Sequence, residues 1–378
     1  LVLQITQPLL KNFGGDVNRA RITIARNDQK ISSLEWRSKL EDSLLRIEEA
    51  YWRLYQVTLN IKIQEALIAR SEDTLEILIK RLKQDTSRVH VAQASATLQA
   101  RRATLVRTKA QISDLSDQIK RLMNDPEFPV ASPVVILPAD EPIIDTIQFS
   151  LVDQMETALQ SRLDLIQQKL RIDSASTIVT AAKNNVLPQL NLVGSAGATG
   201  FGGGFSSAFD NATDSTDSII YSAGFSFEVP FGNRGPRAIY QRTLLQRQQA
   251  IDQYRLLAET TALEVKTSMR AVETAWDEMV ATRRARFAAE DALAAIELRE
   301  RAGEQLTPSF LQLKLDRQSA LAETQLAEVE AIANYNIQLA TLEKAKGTLL
   351  KYNNVLMKEE QGPEFVKVKG AKRLDLSK

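Results

Sequence analysis

The chain has 378 residues, with 48 lysines and arginines against 47 aspartates and glutamates, and a formal net charge of +1. This balance argues against nucleic-acid binding or a polybasic membrane-surface role, because both depend on an excess of positive charge. The absence of cysteine excludes disulfides and thiolate metal sites. The single histidine, His90, has no second histidine for a metal site, and we expect an ordinary surface residue. No window approaches the roughly 20 apolar residues of a transmembrane helix.

The predicted elements begin with a short strand, LVLQIT (1–6), whose residues alternate as in a strand with one apolar and one polar face. Long helices follow, because residues 16–125 contain no proline and residues 16–193 contain no glycine. Apolar residues recur every three or four positions and charges of both signs fill the other faces, which is typical of coiled coils. The pattern predicts helices over 16–82, 91–124, 151–187, 235–302 and 309–346.

The first and fourth predicted helices would each be about 100 Å long, which argues against a compact globule. The second and third together match the first in length. The chain is therefore expected to run out along one long helix and to return along two shorter ones. Between these two lies NDPEFPVASPVVILPADEP (124–142), which holds five of the eleven prolines and predicts an irregular, partly extended connector.

Two further strands are predicted in LPQLNLVGSAGATG (187–200) and YSAGFSFEVPFG (221–232). The Gly-rich run GATGFGGG (197–204) lacks the Lys-Ser/Thr of a phosphate loop, and DNATDSTD (210–217) lacks the central glycine and terminal glutamate of a calcium loop. We expect a mobile surface loop here, with no metal and no cofactor. The carboxylates along the helices belong to regular charged faces, so paired-acid catalysis and an enzyme are not predicted.

The same order of elements occurs twice. Each time a strand closes at a proline, Pro8 and Pro230, and a glycine-containing turn and a long helix follow. Glu-Ala-Tyr-Trp (49–52) in the first helix recurs as Glu-Thr-Ala-Trp (273–276) in the other. This long period indicates duplication of a strand–helix unit, and by symmetry we expect a helix and a strand upstream of Leu1.

Three runs carry a resemblance to a known family: ALQSRLDLIQQKLRIDSASTIVTAAKNNVLPQLNLVGSAG (158–197), FSFEVPFGNRGPRA (225–238), and residues 299–350, which begin RERAGEQLTP. Their order is an Ala-rich helix, a Leu-Pro-x-Leu strand, a strand ending in Pro-Phe, a Gly turn, a long helix, a tip Gly and a closing helix. With this order of elements, the chain resembles the TolC-type outer-membrane efflux channels. The resemblance covers residue 1 to about residue 350.

The resemblance implies a mostly α fold in which very long coiled-coil helices continue a shared transmembrane barrel of about twelve strands. The barrel forms in a homotrimer with four strands per chain, of which this sequence shows three. It also implies a passive channel in the outer membrane of a Gram-negative bacterium, extending into the periplasm. The implied partners are a periplasmic adaptor, an inner-membrane transporter and outer-membrane lipid, with no nucleic acid; the transport system is tripartite efflux or type I secretion.

The expected units are a barrel strand, a helical hairpin, an equatorial connector, a periplasmic helix, a barrel hairpin with an extracellular loop, a second helical hairpin and a C-terminal tail. Their bounds are 1–8, 9–124, 125–150, 151–187, 188–231, 232–350 and 351–378.

Strand alternation predicts which barrel residues face lipid and which face a water-filled lumen. The predicted lipid-facing residues are Leu3, Ile5, Leu190, Leu192, Tyr221, Phe225 and Phe227. The predicted lumen-facing residues are Gln4, Thr6, Asn191, Ser222, Ser226 and Glu228.

The two turns farthest from the strands, 83–90 and 302–308, are predicted to form the periplasmic tip. By resemblance, docking and gating fall to Arg301, Gly303, Leu306, Thr307 and Pro308, with Asp85 and Thr86 in the first turn. The first turn departs from the family pattern because it has no glycine.

Other readings remain open at this point. The strands could form an amphipathic hairpin that packs on the helices of a soluble protein. The whole chain could be a coiled-coil scaffold, or a pore-forming toxin that inserts from solution. Only a constitutive channel would need detergent for extraction from the start.

Overall fold

The computed structural model describes residues 2–81, 87–198, 203–204, 219–304 and 307–355. The predicted fold class, mostly helical with a small β part, is confirmed. In chain order the elements are β1 (Val2–Pro8), α1 (Gly15–Asn18), α2 (Ala20–Lys80), α3 (Arg88–Met123), α4 (Leu151–Ser161), α5 (Leu163–Asn184), β2 (Gln189–Ala198), β3 (Ile219–Glu228), α6 (Arg234–Arg301), α7 (Pro308–Lys346) and α8 (Leu349–Tyr352).

Two helices set the length of the molecule. Helix α2 has 61 residues and α6 has 68, which at 1.5 Å per residue gives about 90 and 100 Å. Helices α3 and α5 both pack along α2, and α5 and α7 both pack along α6. The predicted arrangement of one long helix with two shorter ones returning along it is therefore confirmed.

The core lies between these helices rather than in one central globule. Its largest buried cluster joins α4, α6 and α7 around Val272, Met279, Tyr335 and Leu342. Trp276 packs against this cluster, with its ring centroid 5.6 Å from that of Tyr335. Burial of such side chains supplies most of the free energy that holds paired helices together.

The prediction of one continuous helix over 151–187 is wrong. The backbone leaves the helical conformation at Arg162, with φ −60° and ψ 122°, and the second segment ends at Asn184. The break places the Arg162 guanidinium group 2.6 Å from Asp164 and 2.6 Å from Glu264, and it also donates to the Ala345 carbonyl at 3.2 Å. These charge-assisted contacts offset the helix hydrogen bonds lost at the break.

Arg162 belongs to a half-buried group of charges at mid-height of the long helices. Glu41 of α2 is buried close to it. Burial raises the pKa of the Glu41 carboxyl to about 7, and the positive charge of Arg162 opposes this shift.

The proline-rich connector runs across one side of the helices at the same height. The Ile136 amide donates to Ser116 Oγ of α3 (2.9 Å), and the Asp140 amide donates to the Tyr51 hydroxyl of α2 (3.0 Å). Farther along, the Ile143 amide donates to Asn336 Oδ1 of α7 at 3.0 Å. The predicted irregular connector is confirmed, and it crosses α3, α2 and α7 in that order.

The expectation of a surface histidine is also wrong. His90 is buried in the first turn of α3, and its Nδ1 has no hydrogen-bond partner among the described residues. The start of α3 packs through Val91 and Ala94 against α2 and α7, so even a polar stretch of sequence is covered there.

Gly347, at the end of α7, allows the close approach of the broken helix. Its φ is +73°, and a Cβ at this position would lie 3.0 Å from both Arg162 Cα and Ser161 O. Only glycine combines this backbone conformation with the absence of a side chain.

We predict that Gly347→Ala destabilises the protein by about 1–3 kcal/mol, because the methyl group meets backbone atoms and the residue keeps an unfavourable φ. The matched control is Gly235→Ala near the start of α6, where a Cβ would have no atom within 4 Å. Thermal unfolding of the purified protein, followed by helical circular dichroism, should show a lower midpoint for the first variant only. Equal midpoints for both would show that the contact between Gly347 and Arg162 is unimportant.

Candidate functional site

The three strands form one antiparallel sheet in the order β1-β2-β3. Leu190 lies opposite Phe227 and Leu192 lies opposite Phe225, while Leu3 and Tyr221 both lie opposite Ala196. Directly opposed residues share a face of a sheet. The register therefore brings all seven residues predicted to face lipid onto one face, which we call the apolar face: Leu3, Ile5, Leu190, Leu192, Tyr221, Phe225 and Phe227.

The other face, which we call the polar face, holds all six residues predicted to face the lumen. They are Gln4, Thr6, Asn191, Ser222, Ser226 and Glu228. Ser222 Oγ lies 2.7 Å from Ser195 Oγ of the neighbouring strand, so the two hydroxyl groups form a hydrogen bond between the strands. The face is not purely polar, because Val2, Val193 and Ile220 also lie on it.

No helix or loop of the described residues covers the apolar face. The side chains of Phe225 and Tyr221 are 73% and 75% exposed, and those of Leu3, Ile5 and Phe227 are also exposed. A contiguous exposed apolar surface of this kind marks contact with a membrane or another protein.

Asparagines join the sheet to the helices, and sequence reasoning missed them. Asn233 adopts a left-handed conformation after β3, and its side-chain amide donates to the Val186 carbonyl at 2.7 Å. Asn12, after β1, also has a positive φ, and its amide donates to Asn184 Oδ1 at 2.6 Å. Both asparagines follow a proline, Pro8 or Pro230, in the two corresponding turns. This position could have predicted their role, because asparagine tolerates a left-handed conformation better than most residues.

At the far end of the long helices, the backbone reverses at the predicted glycine. Arg301 is the last residue of α6, and Gly303 has a φ of +88°. Thr307 caps α7 by accepting a hydrogen bond from the Phe310 amide at 3.2 Å, and Pro308 is the first helical residue. Three predicted tip residues, Asp85, Thr86 and Leu306, lie outside the described residues.

The ends of the two hairpins lie side by side. A buried cluster of Leu78, Ala94, Ile296, Phe310, Leu311 and Leu315 joins α2, α3, α6 and α7. Gln93 Nε2 of α3 donates to Gln312 Oε1 of α7 at 2.6 Å. The predicted tip residues Arg301, Gly303, Thr307 and Pro308 therefore lie next to the end of the first hairpin.

Charged residues that the sequence did not single out hold this end together. Arg299 forms an ion pair with Glu304 across the reversal, at 2.5 Å, and the hydrogen bond to this carboxylate raises the pKa of Arg299. Lys314 and Glu300 form a largely buried pair at 2.6 Å. Removing one partner of a buried ion pair strongly destabilises a protein, because it leaves the other charge buried and unpaired. The pair therefore fixes α6 and α7 relative to each other just before the tip.

None of the described helices combines the length and apolar character needed to cross a membrane. Within the described ranges, no group of three or more His, Asp or Glu side chains is placed to hold a metal ion.

Solved structures of outer-membrane channels share the fold. The outer membrane protein VceC of Vibrio cholerae matches with a TM-score of 0.68 and 18% identity, over 92% of this chain and 86% of its own. The open-state MtrE outer membrane channel of Neisseria gonorrhoeae matches with a TM-score of 0.69 and 16% identity, over 92% of this chain and 80% of its own. No curated protein sequence gives a significant match.

The family model for outer membrane efflux proteins matches residues 155–348, which is just over half of the chain. The matched residues include α5, β2, β3, α6 and α7, so they contain two of the three strands and the second helical hairpin. The chain therefore belongs to the outer membrane efflux protein family, and it is a passive channel, not an enzyme, of the Gram-negative outer membrane that extends into the periplasm.

Proposed function

We propose that the chain assembles as a homotrimer whose strands close one barrel of about twelve strands in the outer membrane. In this proposal the helices of the three protomers continue the barrel as a periplasmic tunnel. The tunnel passively conducts substrates delivered by an inner-membrane transporter and a periplasmic adaptor, in a tripartite efflux or type I secretion system.

The two-faced sheet is the observation that carries the proposal. Strands β2 and β3 have 10 residues each, and about 9–11 tilted residues cross a bilayer. Among the described strands, β1 and β3 are the edges of the sheet. Unpaired backbone groups are too costly in lipid, so these edges must pair with further strands, which are those of other copies of the chain and the strand expected upstream of Leu1.

The environment of each face of the sheet follows from its polarity. The apolar face contacts lipid, and the polar face lines the lumen, where Glu228 and the serines remain hydrated. Residues 188–231 then form the barrel hairpin, with its loop outside the cell, and residues 1–8 form a further barrel strand. Most of this loop lies outside the described residues.

The remaining units of the chain are assigned to the periplasm. The hairpins 9–124 and 232–350, together with the broken helical segment 151–187 that contains α4 and α5, form the periplasmic tunnel wall, and 125–150 forms an equatorial connector on it. The tail 351–378 lies outside the described residues from 356 onward. The tip, about 100 Å from the sheet, meets the adaptor, with Arg301, Gly303, Leu306, Thr307 and Pro308 in docking and gating and Asp85 and Thr86 alongside.

The assignment of the faces predicts opposite effects for arginine at neighbouring positions. Phe225→Arg should reduce the amount of trimer in the outer membrane, and Phe227→Arg should reduce it less, because a lipid-facing charge costs about 2–4 kcal/mol at the midplane and less near the end of the strand. Ser226→Arg is the matched control, and it should assemble normally because its side chain enters water. Heat-modifiable trimer in outer-membrane fractions measures the difference, and equal loss at both faces would contradict the proposal.

The tip assignment predicts a loss of transport without a loss of assembly. Arg301→Glu combined with Thr307→Trp should abolish efflux, because the charge is reversed and bulk is added where the adaptor docks, while the yield of trimer stays unchanged. Thr307→Ala alone is the control for the lost helix cap, which is worth about 1 kcal/mol, and it should retain efflux. Normal efflux by the double variant would refute the tip assignment.

A further inference from the structure

Helices α2, α3 and α7 lie side by side at mid-height, and they form a wall with two faces. The connector covers one face, where it bonds to Ser116, Tyr51 and Asn336. Successive helix residues differ by about 100° around the axis. Arg46 and Arg53 of α2 therefore lie on the side opposite Tyr51, and Gln118 and Arg121 of α3 lie on the side opposite Ser116.

A groove of about 510 Å³ lies on this second face, where the connector is absent. Its lining includes Arg46 and Arg53 from α2, Gln118 and Arg121 from α3, and Gln338 from α7. The three arginines are exposed, so their guanidinium groups border the open space of the groove.

The charge in the groove is unbalanced. Arg46, Arg53 and Arg121 form no ion pair with any described carboxylate, and Arg53 donates only to Gln56 Oε1, at 3.0 Å. Glu49 is the one carboxylate residue that lines the groove. In a chain with 48 basic and 47 acidic residues, three unpaired arginines on one concave surface form a local excess of positive charge.

We propose that this arginine surface faces the tunnel lumen, binds anions there, and favours the passage of anionic cargo that carries carboxylate or phosphate groups. The inference rests on the proposed function, because it needs a trimeric tunnel. The connector occupies the opposite face, and three connectors inside one tunnel would obstruct it. The uncovered face is therefore the inner one, and a trimer brings nine of these arginines around the conduit at one height.

Guanidinium groups suit this role. They stay charged at every physiological pH and bind carboxylates and phosphates through paired hydrogen bonds. A concave surface with an excess of one sign of charge, walled by protein, raises the local concentration of counter-ions. The effect is screened at high salt, because the Debye length falls from about 10 Å at 0.1 M to about 3 Å at 1 M.

Single-channel recording in planar bilayers tests the proposal with the full chain as a trimer. The variant is Arg46→Gln with Arg53→Gln. The control, Lys62→Gln with Lys109→Gln, removes the same number of positive charges from the connector side of α2 and α3, where Lys109 pairs with Glu65 at 2.9 Å. Lys62 lies eleven residues, about three turns, from Tyr51, and Lys109 lies seven residues, about two turns, from Ser116. The chloride-to-potassium permeability ratio is obtained from the reversal potential in a potassium chloride gradient.

We expect the arginine variant to lower this ratio by about twofold or more near 0.1 M salt, with little change near 1 M, whereas the control keeps the wild-type ratio. Citrate and inorganic phosphate, added as probes, should reduce the wild-type current at lower concentrations than they reduce the current of the arginine variant. A stronger effect of one probe identifies the preferred anion group.

The outcomes separate the two proposals. Conducting channels whose permeability ratio and sensitivity to the probes are the same in all three proteins would overturn the arginine surface and leave the channel function intact. An equal shift in the control would show a general charge effect, and it would also overturn this inference. Trimer that never conducts would overturn the proposed function, and the inference with it.

Discussion

Backbone hydrogen bonding limits what a short sheet can do at a membrane. The described sheet has three strands and two free edges, and its Phe and Leu side chains are exposed on one face. In water the apolar face lacks a partner, and in lipid the edges lack hydrogen bonds. In the proposed trimer, closure with further strands satisfies both requirements. The helices would then be held around the same axis. The alternation of apolar residues in three short strands therefore affects the arrangement of helices about 100 Å long.

The helices transmit this arrangement to the tip. Their core is a set of clusters along the seams between helices, and it is joined at mid-height by Arg162, Gly347 and the connector. Close packing of this kind moves as connected units rather than bending smoothly. The Lys314–Glu300 pair fixes α6 to α7 close to the reversal at Gly303. A partner that docks at this end, as proposed, would therefore act on whole helices.

Features with local causes could be predicted from the sequence. Alternation gave the two strand faces, and the register agrees with it because opposed residues share a side. The absence of glycine and proline predicted the long helices, and Gly303 followed by Pro308 predicted the reversal. The break at Arg162 could not be predicted, because LQSRLDL contains no helix-breaking residue. The break is stabilised by contacts of Arg162 with Glu264 and Ala345, which are distant in sequence.

Features formed between hairpins were equally hidden. His90 lies in a polar stretch, and only the packing of the two hairpin ends buries it. The arginine surface combines Arg46 and Arg53 with Arg121, and an excess of charge cannot be read from a balanced composition. The sequence shows each helix face separately, but not which faces of different helices meet.

The accessibility of neighbouring residues in β3 distinguishes a lipid-facing side of the sheet from a water-facing one. The chain has no cysteine, so single cysteines at positions 225 and 226 can each carry one nitroxide spin label in trimers reconstituted into lipid. Collisions with oxygen, which concentrates in lipid, should dominate at position 225. Collisions with a water-soluble nickel chelate should dominate at position 226. Equal accessibility to the chelate at both positions, or the reverse order, would contradict a barrel with its apolar face in lipid.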